Sequence, residues 1–272
     1  MDSPTNNPRD TPVAVLDSTD PLAISVTEAI RSGDVHALRH LLATHPALAA
    51  GRISKDGPAA GRRSLLHVAT DWPGHHPHAE AVIATLVAAG ADPDARFVGA
   101  HTETPLHWAA SNDDVTAVDA LVAAGADIEA SGAVIGGGTP LADARGFGQW
   151  RAARRLLELG ARADLQDAAT LGLLDQVETF LAAPDSPTRS EITSAFWGAC
   201  HGGRLPTARL LLEQGADVNW IGYDGMTPLD IARAQAAARG QDLPGPQDAG
   251  QSGDDIVQWL LARGAKTRAD LG

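Results

Sequence analysis

Asp71, His101, Glu103 and Asp143 are residue types that move protons, and two indoles, Trp72 and Trp108, stand close to them in the sequence. A histidine near a carboxylate can work as an acid and base pair, because burial and a neighbouring charge bring either pKa toward neutrality. In HTETPLHWAASNDD, residues 101 to 114, extended alternation puts His101 and Glu103 on the same side of the chain just ahead of Trp108. Indoles beside such a pair would hold the apolar body of an organic ligand or stabilise a cation. The alternative is a loop salt bridge or two solvated side chains, worth little.

Other chemistry is poorly supported. HHPH, residues 75 to 78, lacks the spacing of a zinc site and reads as a solvated turn. Cys200 and His201 are adjacent on a helical pattern, where neighbours diverge by about 100°, so they do not form a nucleophile and base pair. The glycine run GAVIGGGTP, residues 132 to 140, is not followed by the Lys-Ser/Thr of a phosphate-binding loop. No metal site and no cofactor are expected.

What positions the candidate residues is a repeat. VAAGADPD (87–94), VAAGADIE (122–129), LELGARAD (157–164), LEQGADVN (212–219) and LARGAKTR (261–268) align, with glycines 90, 125, 160, 215 and 264 spaced by 35, 35, 55 and 49. Between them recurs a second phrase: SLLHVA (64–69), TPLHWA (104–109), TPLADA (139–144), SAFWGA (194–199) and TPLDIA (227–232). Thr or Ser before Pro starts a helix, with a capping hydroxyl and a proline where its missing N–H costs nothing. Small residues such as Ala109 and Ala110 admit a close second helix, and the Gly of GAD ends it. Together these phrases resemble the ankyrin repeat. The resemblance covers about residues 22 to 268 and implies an all-α solenoid of about seven helical hairpins.

Two units lack the full wording. Residues 24–49 carry the two-helix pattern with Gly33-Asp34 at the turn and read as an N-terminal cap. Residues 165–183 read as a degenerate fourth repeat, which accounts for the spacing of 55. Residues 1–20 read as a disordered tail, residues 21–272 as one domain, and residues 238–255 as a flexible insertion in the last repeat.

In ankyrin-like proteins the inner helices and projecting loops form a groove where partners bind, so departures there carry the functional expectation. The turn TDWPGHHPH (70–78) is longer than its neighbours and places Asp71, Trp72 and His75 at the rim. Two loops, RFVGAHTE and ASGAVIGGG, are longer than the last one and bring Phe97, His101 and Glu103 toward the groove. Trp108 and Asp143 fill a position where a plain repeat carries an aliphatic residue, so an indole and a charge are expected to face the groove. Asp113, and Trp220 with Tyr223 on the loop NWIGYDG, complete the candidate set. His67 and His107 belong to the repeat phrase, where the resemblance implies bonds to loop backbone.

A net charge of −13 and no basic cluster argue against nucleic acid and suit a partner of basic character. The single cysteine fits a reducing, cytoplasmic compartment, and no stretch reads as a signal peptide or membrane span. The leading expectation is a binding module recognising a protein or peptide through the groove of repeats 1 to 3. The alternative is a small-molecule site or acid/base enzyme built from His101, Glu103, Asp71 and Asp143.

Overall fold

The computed structural model describes residues 14–54, 61–239 and 253–272. The described residues hold fifteen α-helices and one small sheet, and the chain divides into two compact units, Met1–Ala144 and Arg145–Gly272, where the sequence suggests one domain over 21–272.

In the first unit, α1 (Pro21–Ser32), α3 (Leu65–Thr70) and α5 (Pro105–Ser111) pack side by side as one layer. Helices α2 (Val35–Thr44), α4 (Ala79–Ala88) and α6 (Val115–Ala123) form a second layer, each packed against its hairpin partner. The second unit repeats the plan, with α9 (Leu165–Leu171), α11 (Arg189–Gly202) and α13 (Pro228–Arg239) in one layer and α10 (Leu174–Ala182), α12 (Leu205–Glu213) and α14 (Gly253–Ala262) completing the hairpins. With α7 (Pro140–Gly146) and α8 (Trp150–Glu158) the described helices pair in sequence as seven hairpins; a last turn, α15 (Arg268–Leu271), follows.

The repeat phrases do what their chemistry suggests. Ser64, Thr104 and Thr227 cap their helices through the side chain three residues on. The GAD glycines have positive φ, from 79° at Gly264 to 102° at Gly90, which a residue with a Cβ adopts only under strain. Leu65, Leu66, Leu106, Ile83 and Leu121 are fully buried between the layers, each worth ~1.5–3 kcal/mol.

Three details differ from the sequence expectations. The tail expected over 1–20 lies outside the described residues through position 13. Its remainder is built in: β1 (Val15–Leu16) pairs in parallel with β2 (Arg52–Ser54), which pairs antiparallel with β3 (Arg62–Ser64), and Asp20 caps α1. The insertion expected over 238–255 falls mostly outside the described residues. Helix α11 begins after Thr188 rather than at Ser194, because Thr188 and Glu191 form a capping box one and a half turns before the repeat phrase.

Close packing is extreme where α11 meets α9. A Cβ on Gly202 would stand 1.8 Å from the Thr170 carbonyl oxygen, and one on Gly198 would stand 2.4 Å from Thr170 Oγ1. Backbone cannot yield as a side chain can, so the helices would have to separate. Gly202→Ala is expected to destabilise the second unit by ~2–3 kcal/mol, read as a lower urea midpoint at unchanged slope.

Candidate functional site

The long loop before α5 and the glycine-rich loop before α7 bring His101, Glu103, Trp108 and Asp143 together, as the sequence suggests, but inside the protein. Glu103 is 4% exposed and Asp143 0%. His101 Nδ1 stands 2.6 Å from Glu103 Oε2, a close contact that lacks hydrogen-bond geometry. Trp108 Nε1 donates to the same Glu103 oxygen at 3.0 Å. Asp143 Oδ1 accepts the Ile135 N–H at 3.1 Å, and the neighbouring Val134 N–H favours the charged form of both carboxyls.

The two carboxyl groups also meet each other. Burial raises the pKa of both, and with Glu103 as its neighbour Asp143 is pushed up to about 7. Asp143 Oδ2 is buried with no donor reaching it. A proton on that oxygen, donated to the Glu103 carboxylate, satisfies it, so below about pH 7 the pair carries one negative charge rather than two. The expectation that Asp143 points a charge into the groove is therefore corrected: the carboxyl is fully buried, with one oxygen on loop backbone and the other without a donor.

Aromatic rings roof the pair. Phe97 stacks on His101 with centroids 4.8 Å apart and lies 5.5 Å from Trp108, which meets His67 edge-on at 4.8 Å. Phe97 is buried, so it is packing rather than an open anchor, and Trp108 is half-buried. His67 Nε2 donates to the Glu103 carbonyl at 3.1 Å while its Nδ1 accepts from Ser64; His107 does the same between the Gly138 carbonyl, at 3.3 Å, and Thr104. Each imidazole thus ties one repeat to the loop of the next, and burial holds their pKa values down, to about 3 for His67 and about 4 for His107.

Asp71 and Trp72 do not join this cluster. Asp71, expected at the rim, is buried in an ion pair with Arg63 and a second with Arg31 at 3.2 Å. Its Oδ1 accepts the Trp72 N–H at 3.1 Å and its carbonyl accepts the Gly74 N–H at 2.8 Å. On the far side of the turn the His75 N–H donates to Asp114 Oδ2 at 2.6 Å and its ring bonds the Asn112 carbonyl, while Asn112 donates to the Thr70 carbonyl at 2.8 Å. The turn is thus fastened to α1 and β3 at one end and to the ends of α5 and α6 at the other. Trp72 projects from it, 77% exposed.

Asp114 caps α6, whereas Asp113 occupies the positive-φ turn before it. A cavity of about 310 Å³ beside the turn is lined by His75, His76, His78, Glu80, Asp114 and Thr116. A larger one, about 800 Å³, opens between α2 and α4 around Arg39, Leu42, Pro46 and Ala84. Neither is lined by Glu103 or Asp143. Among the described residues no group of three His, Cys, Asp or Glu is placed to hold a metal ion.

In the second unit Tyr223 is 48% exposed, its hydroxyl 3.0 Å from Ser194, and Trp220 packs edge-on against it. Trp197 takes over the work of the repeat histidine: its Nε1 donates to the Met226 carbonyl of the next loop at 3.0 Å. Sequence reasoning missed the partners of the acids: Arg31 and Arg63 for Asp71, and Arg145, which donates to buried Asp167 at 2.6 Å. Asp164 and Asp167 cap the degenerate repeat at the spacing of Ser64 and His67, a signal the sequence did carry.

Residues 101–133 match the ankyrin repeat family model. No curated protein matches the chain. Among solved structures, that of the human ASB11 ankyrin repeat domain is similar at 20% identity over 88% of this chain and 96% of that one, with a TM-score of 0.46. The matched segment is the hairpin of α5 and α6 with its capping box, its repeat histidine and its GAD turn, and residues 101–133 are an ankyrin repeat.

Proposed function

We propose that the protein is a binding module for a protein or peptide, with the turn that carries Trp72 as its anchor. Ankyrin repeats are generally protein-interaction modules, and one observation supports this place above others: a 77% exposed indole on a turn fastened at both ends. An aromatic side chain held in place before contact loses little conformational entropy on binding, and such residues are over-represented among those that dominate interface energies. Tyr223 is a second exposed aromatic contact, in the other unit. The net charge of −13 favours a partner of basic character, and the single, buried Cys200 suits a reducing compartment such as the cytoplasm. No described helix is long and apolar enough to cross a membrane.

The acid/base alternative has the convergence of His101, Glu103 and Asp143 in its favour. Against it, both carboxyls are buried, with Glu103 Oε2 engaged by the Trp108 indole and Asp143 Oδ1 by the Ile135 N–H. The experiment is affinity capture with the full chain and with Trp72→Ala, followed by titration of each purified partner. The variant is expected to keep its melting temperature and to bind at least ~30-fold more weakly, about 2 kcal/mol. Equal affinities for wild type and variant across all partners would move the anchor elsewhere.

A further inference from the structure

The second long loop, residues 131–138, is exposed at Val134 and carries glycines 136 to 138, yet its backbone is held inward at Ile135, whose N–H donates to Asp143 Oδ1. The holding carboxyl, Asp143 in α7, keeps its second oxygen buried without a donor and has the Glu103 carboxyl, just before α5, as its neighbour. We propose that Glu103 and Asp143 share one proton and so form a latch on residues 131–138, which slackens when that proton leaves.

The groups around the pair support this assignment. His101 contacts Glu103 on its open side, with 33% of its side chain exposed. Arg96 donates to the Thr102 and Ser131 carbonyls, fastening the start of the loop rather than neutralising the pair. His107, from α5, bonds the Gly138 carbonyl at the end of the loop, and His67, from α3, bonds the Glu103 carbonyl; both are held neutral by burial. Trp108 supplies an N–H but no charge. A second negative charge on the pair would face the first in a buried site, with only the partly exposed His101 imidazole touching it.

The direction follows from linkage. Asp143 titrates near 3.9 when released and at about 7 when latched, so the latch is tightest in mild acid and loses strength as pH rises through that interval. Hydrogen exchange of the full chain, read by mass spectrometry at about pH 6 and about pH 8.5, measures it as protection factors corrected for intrinsic rates. Protection over residues 133–138 is expected to fall about tenfold between these conditions, while α1 and α2 stay unchanged. In Asp143→Asn the amide donates to Glu103 and its oxygen still accepts from Ile135, so protection becomes independent of pH. Glu103→Gln gives the same result from the other side and serves where the first variant folds poorly. Flat protection in the wild type, or the same fall in both variants, would overturn the latch.

Discussion

Asp71→Ala is expected to lower the stability of the first unit by ~3–5 kcal/mol, on the order of 10 °C in melting temperature. The size comes from burial. Arg63 and Asp71 expose 9% and 11% of their side chains, so removing the carboxylate takes its counterion from a guanidinium that water barely reaches. Arg31 is 44% exposed and its link to the same oxygen is worth at most ~1 kcal/mol, so Arg31→Ala should shift the melt little. Asp71→Asn keeps the acceptor for the Trp72 N–H and loses only the charge, which places it between the two. Thermal melts of the three variants check the ranking. If Asp71→Ala melted like the wild type while losing a partner, Asp71 would be a binding residue, as its place in the sequence first suggests.

Asp71 also marks where sequence reading reached its limit. Helix starts, glycine ends and histidine ties were legible because each depends on residues three or four apart, and the structure keeps them at Thr104, Gly125 and His107. The convergence of His101, Glu103, Trp108 and Asp143 was legible too, because repeats of fixed period stack equivalent positions above one another. Burial was not. Whether an acid faces solvent or a guanidinium depends on residues eight and forty positions away, as with Arg63 and Arg31 around Asp71. For the same reason Phe97 reads as an anchor in sequence and proves to be the floor beneath His101. Trp72 kept its predicted exposure because the four-residue lengthening of its turn carries it beyond the helices that bury its neighbours.

Acid is expected to weaken the first unit well before its surface carboxylates titrate, and the cause is the pair of repeat histidines. His67 and His107 are neutral in the fold, with pKa values of about 3 and about 4, against ~6.5 in an unfolded chain. Depressed values mean that their contribution is complete above pH ~6.5 and is lost as pH falls toward 4 and below. At about pH 5 each has given up ~2 kcal/mol, by 1.36 kcal/mol per pH unit below 6.5. The geometry explains why: a proton on Nδ1 would confront the backbone N–H of Ser64 or Thr104, which already points at that nitrogen. Asp143 works in the opposite sense, its raised pKa adding ~2 kcal/mol between about pH 7 and about pH 5. The histidines win, by a net ~2 kcal/mol. Urea midpoints of the wild type should therefore fall from about pH 7 to about pH 5, fall further in Asp143→Asn, and rise in the His67→Gln, His107→Gln double variant, whose amides still donate to the loop carbonyls without taking up a proton. A wild type equally stable at both ends of that range would mean that the imidazoles reach water, and that the ties to Glu103 and Gly138 are not what holds the repeats together.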